Sequence, residues 1–230
     1  MKKQLTGRVA IVAGTVLLVA GCAIFPDKQL PEVTTLPNKS QFASRPSVAL
    51  DVKYRMDPKG GEGGAPTENV QMTANLKGIV EEITKESTLF SRHSMDAFDA
   101  KNMDYSVKIE LIERADMGPA LVGAIITGLS LYIIPSKVSV EYELNATVSD
   151  RNGAKLKSYQ LKDGLSMWQG IIFLPFGEKS LVEAPKRIVG NMVKNLYQSM
   201  ANDNVLRYSW NAPRSYAWLA DAAVTPLATP

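Results

Sequence analysis

The sequence predicts an α+β domain built on a mainly antiparallel sheet, with helices packed on one face of that sheet. Several segments alternate apolar and polar residues, most regularly residues 137–150, as half-buried strands do. Two other segments, 68–86 and 180–201, repeat apolar residues at helical spacing. The resulting order is strand, helix, strand, apolar insertion, hairpin and helix, which favours two packed layers.

The composition allows one sizeable core and excludes several classes of function. Of the 230 residues, 45% are hydrophobic and 21% are charged. The net charge of +3 comes from Lys2, Lys3 and Arg8, and the rest of the chain is balanced at 23 basic against 23 acidic residues. A nucleic-acid-binding surface needs clustered excess cations, so none is expected. One cysteine, Cys22, and one histidine, His93, exclude a disulfide framework or a Cys/His metal site within one chain.

The first 21 residues have the pattern of a secretory signal peptide. Residues 1–8 are basic, and residues 10–20 are apolar apart from Gly14 and Thr15. This apolar run is shorter than the roughly 20 residues that a membrane-spanning helix needs.

The end of this segment resembles the lipobox of bacterial lipoproteins, through Leu18 and the sequence Val19-Ala20-Gly21-Cys22. The resemblance implies cleavage between Gly21 and Cys22, lipidation of the Cys22 sulfur with acyl chains such as palmitate, and acylation of the new amino group. Ala23 follows the cysteine where the family's inner-membrane proteins have Asp, which implies sorting to the outer membrane, facing the periplasm. The alternative is a chance cysteine beside an N-terminal anchor helix.

The mature chain is expected to divide into three parts. Residues 22–46 contain four prolines and little periodicity, so we expect a lipidated, disordered tether that reaches about 75 Å when extended. A partner-binding segment is the alternative there. Residues 47–205 form the periplasmic domain, and residues 206–230 form an irregular tail.

The first half of the domain reads as strand, loop, helix and strand. Residues 47–55 alternate, and residues 57–67 form a glycine-rich loop that lacks the G-K-[ST] ending of a phosphate site. Thr67 is expected to cap the helix over 68–86. The remaining elements are expected to be a short strand, a helical turn and a strand, over residues 89–91, 94–101 and 105–114.

The second half is predicted to form a hairpin with an apolar end. Asn152-Gly153 after the strand 137–150 is a strong hairpin signal. In a hairpin centred on this turn, the numbers of two paired residues add up to 305. Extended outward, this register places residues 129–136 opposite residues 169–176. The uncharged segment 117–136 would therefore lie beside a second apolar segment, away from the turn. Its length alone would allow a membrane span, but several Gly and Pro residues weaken a continuous helix.

These two apolar segments are the candidate functional surface. They either bind a protein, contact the bilayer or insert during oligomer assembly, or the C-terminal helix covers them as core. The candidate residues are Leu121, Ile125, Ile126, Leu129, Ile133, Ile171, Ile172 and Phe173.

Catalytic residues are not expected. His93 lies between Arg92 and Ser94 without a G-x-S-x-G elbow, so an exposed histidine is favoured over a hydrolase. The carboxylate pairs Glu81/Glu82 and Glu141/Glu143 are interpreted as solvated faces. No metal, cofactor or small-molecule substrate is predicted.

The layout of residues 47–201 is similar to lipoproteins of the curli-secretion-pore type and of the conjugative surface-exclusion type. No functional residues carry over from this similarity. We expect a non-enzymatic outer-membrane lipoprotein that acts in binding or assembly, with envelope proteins or copies of itself as partners. The alternatives are a surface-exposed structural or exclusion-type lipoprotein and a periplasmic hydrolase.

Overall fold

The computed structural model describes residues 22–59, 65–176 and 179–209. The predicted signal peptide and cleavage residue Gly21, glycines 60–64 and the tail beyond 209 lie outside these residues. The described part is an α+β domain, as predicted, and its sheet has seven strands.

The sheet is mixed: four of its described strand pairings are antiparallel and two are parallel. Its order is β1-β7-β6-β5-β2-β3, with β4 beside β2, and β2 runs parallel to both β5 and β4. The strand expected at 89–91 lies slightly later, at Arg92–Ser94, and Leu89 and Phe90 before it are buried in the core. The strands are β1 (Cys22–Pro26), β2 (Ser47–Lys59), β3 (Thr67–Glu68), β4 (Arg92–Ser94), β5 (Tyr105–Asp116), β6 (Ser136–Asp150) and β7 (Lys155–Gln169).

The described residues also form three α-helices and two 3₁₀ helices. The α-helices are α1 (Val70–Glu86), α2 (Met117–Leu129) and α3 (Lys179–Asn202), and the 3₁₀ helices are Ala97–Asn102 and Ile171–Phe176.

Helix α1 begins later than predicted because a different residue caps it. The Asn69 side chain accepts a hydrogen bond from the Met72 backbone N–H at 3.0 Å, whereas Thr67 belongs to β3. Asparagine is a better N-cap than threonine, which is consistent with a helix that starts after Asn69.

The core lies between one face of the sheet and helices α1 and α3. The alternating apolar residues of β2, β5 and β6 face these helices, as their period of two requires. Tyr197 of α3 is fully buried, and its ring meets Phe90 edge-to-face at 5.8 Å between centroids. The helix residues of this core include Leu76, Val80, Ile83, Ile188, Met192, Leu196 and Met200.

The hairpin has the predicted register. Ser136 pairs with Gln169 and Val148 with Lys157, and a bulge after Val148 shifts the pairing by one residue near the turn. Gly153 has φ +82°, a conformation that glycine adopts without strain.

The expected extended tether is corrected: residues 22–46 pack against the domain. β1 pairs with β7 at the edge of the sheet. Residues 27–46, here called the strap, are joined to the domain by hydrogen bonds. The Val33 N–H donates to Asn191 Oδ1 at 2.9 Å, and the Pro31 carbonyl accepts from both Asn191 and Asn195. Side-chain amides of α3 thus supply the partners that a proline-rich backbone cannot find in a strand ladder.

The start of the expected irregular tail also packs on the domain. Leu206 is buried, the Arg207 N–H donates to the Tyr105 hydroxyl at 3.1 Å, and Ser209 forms an isolated bridge with Ser44.

Candidate functional site

Helix α2 presents small residues to the rest of the domain. Ala120 and Thr127 are buried, and Gly123 lies between them on the same face. A Cβ atom added at Gly123 would lie 3.1 Å from Ser136 Cβ, closer than most real Cβ contacts. Glycine therefore permits α2 to pack closely onto the start of β6.

The large side chains of α2 point away from the domain. Leu121 is 65% exposed, Ile125 is 55% exposed and Leu129 is 82% exposed. A helix on the surface of a water-soluble domain normally buries its large apolar residues and exposes polar ones. The orientation of α2 is the reverse of that pattern.

The turn after α2 exposes further apolar side chains to solvent. Leu131 and Tyr132 have φ values of +53° and +63°, in the left-handed region that non-glycine residues rarely adopt. The Tyr132 N–H donates to the Thr127 carbonyl at 2.8 Å, and the Ser130 hydroxyl accepts from the Ile134 N–H. These local bonds offset the cost of the left-handed conformation, on the order of 1–2 kcal/mol per residue.

The 3₁₀ helix Ile171–Phe176 lies against this turn. The Ile171 N–H donates to the Tyr132 carbonyl at 2.9 Å, and a Cβ atom at Gly170 would approach Pro135 Cβ to 3.1 Å. The two apolar segments meet, as the hairpin register predicts. We call the exposed apolar side chains of both segments the apolar patch: Leu121, Val122, Ile125, Ile126, Leu129, Leu131, Ile133, Ile134, Ile171 and Ile172.

Cys22 begins β1 at the base of this patch. It pairs with Gln169, which pairs on its other side with Ser136. With about 5 Å between strands and about 3.3 Å of rise per residue, the Cys22 backbone lies within roughly 10 Å of that of Ile171. Phe25 of the same strand meets the Phe173 ring at 6.4 Å between centroids.

Aromatic residues and a lysine lie beside the patch. The Trp168 ring is 6.0 Å from the Phe173 ring, and the Lys137 ammonium is 5.9 Å from the centroid of Trp168. Tyr132, in the turn after α2, is half-buried.

The alternative that the C-terminal helix covers the candidate residues does not hold. Helix α3 packs on α1, β1 and β7, and seven of the eight candidates remain at least 45% exposed, while Phe173 is half-buried. The prediction missed Val122, Leu131 and Ile134, although they belong to the same uncharged segment. It also placed Cys22 at the far end of a tether instead of beside the patch.

The structure does not join His93 and Ser94 into a catalytic pair. His93 lies on β4 beside Val48. The neighbouring Ser94 hydroxyl donates to Asp99 Oδ2 at 2.7 Å. Among residues 22–59, 65–176 and 179–209, no three His, Cys, Asp or Glu side chains are grouped to hold a metal ion.

Glu81 and Glu82 each form an ion pair with a lysine. Glu81 Oε1 lies 2.6 Å from Lys85 Nζ, and the hydrogen bond with Lys85 lowers the pKa of Glu81. Glu82 Oε2 lies 3.6 Å from Lys186 Nζ.

The interpretation of Glu143 as part of a solvated face is wrong, because its side chain is buried. Burial acts to raise its pKa. Hydrogen bonds from Asn145 and Gln160 and the positive charges of Arg114 and Lys162 outweigh that effect, so the pKa is lowered. The Arg114 guanidinium lies 2.6 Å from Glu143 Oε2. The sequence pattern placed Glu143 on the polar face correctly but could not reveal these neighbours.

None of the helices that the structure describes is both long enough and apolar enough to cross a membrane.

Comparison with known proteins gives distant structural likenesses. No protein-family model matches the chain, and no curated protein matches it. A minor lipoprotein from Acinetobacter baumannii is 13% identical with a TM-score of 0.35, covering 71% of this chain and 97% of that one. A PelC dodecamer from Paraburkholderia phytofirmans is 13% identical with a TM-score of 0.29, covering 77% and 98%. The hypothetical protein CT253 from Chlamydia trachomatis is 10% identical with a TM-score of 0.33, covering 70% and 96%. Likeness at this level carries no conclusion about function.

Proposed function

We propose that this protein is a non-enzymatic lipoprotein of the bacterial outer membrane, which acts in binding or assembly within the cell envelope. The observation that carries the proposal is the position of Cys22, the first residue of β1, at the base of the apolar patch. The residue that resembles a lipidation site and the candidate interaction surface thus lie at one end of the domain.

The anchor is supported by the sequence before Cys22. A basic stretch, an apolar stretch and the ending Ala20-Gly21-Cys22 occur together in the first 22 residues. Each acyl CH₂ group that enters the membrane contributes about 0.8 kcal/mol, so two or more chains hold a domain of this size stably.

The binding role is supported by the exposure of the apolar patch. Fully burying one Leu or Ile side chain contributes about 1.5–3 kcal/mol. The patch presents nine Leu or Ile side chains and one Val side chain, whereas contiguous apolar surface on a soluble monomer rarely exceeds a few hundred Å² without a function. Burial of even part of this surface would drive association.

The second candidate is a surface-exposed structural or exclusion-type lipoprotein, which has the same anchor and the opposite orientation. Protease treatment of intact cells separates the two. For an inward-facing protein we expect protection in intact cells and digestion after the outer membrane is permeabilised. Digestion in intact cells would favour the surface-exposed alternative.

The hydrolase alternative has a simpler test. We expect His93→Ala to retain the phenotype of the wild-type protein, because the hydroxyl of the adjacent Ser94 donates to Asp99 instead. Loss of function in a variant that folds normally would revive a catalytic role for His93.

A further inference from the structure

We propose that the apolar patch docks into the boundary between headgroups and acyl chains of the bilayer that holds Cys22, so that α2 lies in the membrane surface. This inference rests on the proposed lipid anchor and names the occupant of the patch. The domain would sit directly on the membrane, in one orientation, without a stalk.

The first argument is that no flexible segment separates Cys22 from the folded domain. Cys22 is already paired with Gln169, and Ala23 beside it is 2% exposed. Acyl chains on Cys22 would therefore be attached to the protein at a point within roughly 10 Å of Ile171. Amphipathic segments that bind membranes bury their apolar face about 5–10 Å deep, so the anchor alone brings the patch within that range.

The second argument is the chemistry of the patch and its surroundings. Residues 117–136 carry no charge, so no ionised side chain of this segment must be desolvated on insertion. Beside the patch lie Trp168, Tyr132 and Lys137, whose ammonium group is 5.9 Å from the Trp168 ring. Trp and Tyr are enriched at the level of lipid headgroups, and lysine can extend its charged end into water there.

The third argument is the orientation of helix α2. Its small residues Ala120, Gly123 and Thr127 face the protein, while Leu121, Ile125 and Leu129 face outward. A helix that lies between a protein and a bilayer needs an apolar outward face. A protein partner would have to enter the space between the domain and the membrane to which it is tied.

This docking fixes what the protein presents to its surroundings. β6 runs from Ser136 at the patch to Asp150 at the hairpin turn, which is 15 residues or about 50 Å at 3.3 Å per residue. The turn end carries polar residues, including Arg151 paired with Asp104 at 2.8 Å. That end would face away from the membrane.

The experiment uses the fact that lipidation consumes the sole native thiol. Full-length Leu129→Cys protein, purified from membranes, is labelled with a fluorophore that brightens in apolar surroundings. It is then reconstituted in vesicles of phosphatidylethanolamine and phosphatidylglycerol. Leu129 is 82% exposed, so the substitution leaves the core unchanged. Asn152→Cys, at the exposed turn, is the matched control.

We expect the label at position 129 to be several-fold brighter than the label at 152. We also expect it to be quenched by nitroxide-bearing lipids and protected from aqueous iodide. Adding Ile125→Glu should abolish the extra brightness, the nitroxide quenching and the protection from iodide, whereas adding Lys155→Glu near the turn should leave all three unchanged.

Two results would overturn the docking. In one, iodide quenches position 129 as strongly as position 152. In the other, the label is protected from iodide but unaffected by nitroxide lipids, which means that protein, such as a second copy of the chain, covers the patch.

The number of fluorophores per chain tests the proposed lipidation of Cys22 separately from the docking. A lipidated Leu129→Cys chain takes up one fluorophore, whereas a chain with a free Cys22 thiol takes up two. Two labels per chain would contradict the proposed anchor, and with it the docking that depends on it.

Discussion

Cys22 lies directly opposite Gln169 in the antiparallel pairing of β1 with β7. One residue beyond Gln169 comes Gly170, and then the 3₁₀ helix that carries Ile171 and Ile172 of the apolar patch. The register of one strand pair therefore fixes the distance between the proposed anchor and the patch. A tether in place of β1 would have left that distance undefined.

Charged substitutions in the patch should be tolerated by the fold. We expect Ile126→Glu and Ile172→Glu to change the free energy of unfolding by no more than about 0.5 kcal/mol, because Ile126 is 46% exposed and Ile172 is 60% exposed. Leu144→Ala, at a fully buried position, should cost about 2–5 kcal/mol. Urea unfolding of the detergent-solubilised proteins measures both. A patch variant as unstable as Leu144→Ala would mean that these residues belong to a core.

Two glycines of α2 should respond in opposite ways to added side chains. Gly123 has 3.1 Å between its built Cβ and Ser136 Cβ, so Gly123→Val should destabilise the protein by about 1–3 kcal/mol. Gly128 has no neighbour within 4 Å of its built Cβ, so Gly128→Ala should stabilise it by about 0.5–1 kcal/mol. Thermal unfolding compares the two. Equal effects would contradict the close packing of α2 on β6.

The strap should loosen when its amide partner is removed. Asn191→Ala leaves the N–H of the buried Val33 without its acceptor, which costs about 1–3 kcal/mol. We expect faster tryptic cleavage at Lys28 and Lys39. Thr34→Ala, on an exposed part of the same strap, is the control and should leave cleavage unchanged. A strap that is cut equally fast in both variants and in the wild type would not be held by Asn191.

Alkaline pH should destabilise the protein through Tyr197. Burial raises its pKa from 10 to about 12, although the hydrogen bond with Thr84 acts in the opposite direction. The unfolded chain therefore loses this proton above pH 10, while the folded chain keeps it until about pH 12. The stabilisation is complete below pH 10 and decreases, by an amount on the order of 2–3 kcal/mol, as the pH rises to 12.

Tyr197→Phe isolates this contribution from the other buried tyrosines, such as Tyr208, whose pKa is also raised to about 12. The variant should show a shallower loss of stability between pH 10 and 12 in urea unfolding. An identical pH dependence in both proteins would exclude Tyr197 as its source.

The elements that the sequence predicted well depend on local patterns. The hairpin register follows from a period of two and one Asn-Gly turn, so Ser136 was correctly placed opposite Gln169. The exposure of the patch could not be settled in this way, because an uncharged run such as 117–136 is compatible with a core or a surface.

The elements that escaped prediction depend on distant partners. The strap is held by Asn191 and Asn195, about 160 residues away in sequence, and its prolines alone indicated only an extended chain. The parallel pairing of β2 with β5 likewise follows from tertiary packing, since α1 forms the crossover between them. Glu143 was interpreted as solvated because its alternation gave no sign of Arg114 and Gln160.

Mass spectrometry of the N-terminal peptide, from protein purified out of membranes, tests the central claim most directly. The account predicts a chain that begins at Cys22, with a diacylglyceryl group on the sulfur and a fatty acyl group on the amino nitrogen. Cys22→Ser, the control, should keep residues 1–21 and carry no acyl group. A wild-type chain that retains those residues, or that carries an unmodified Cys22 thiol, would contradict the account.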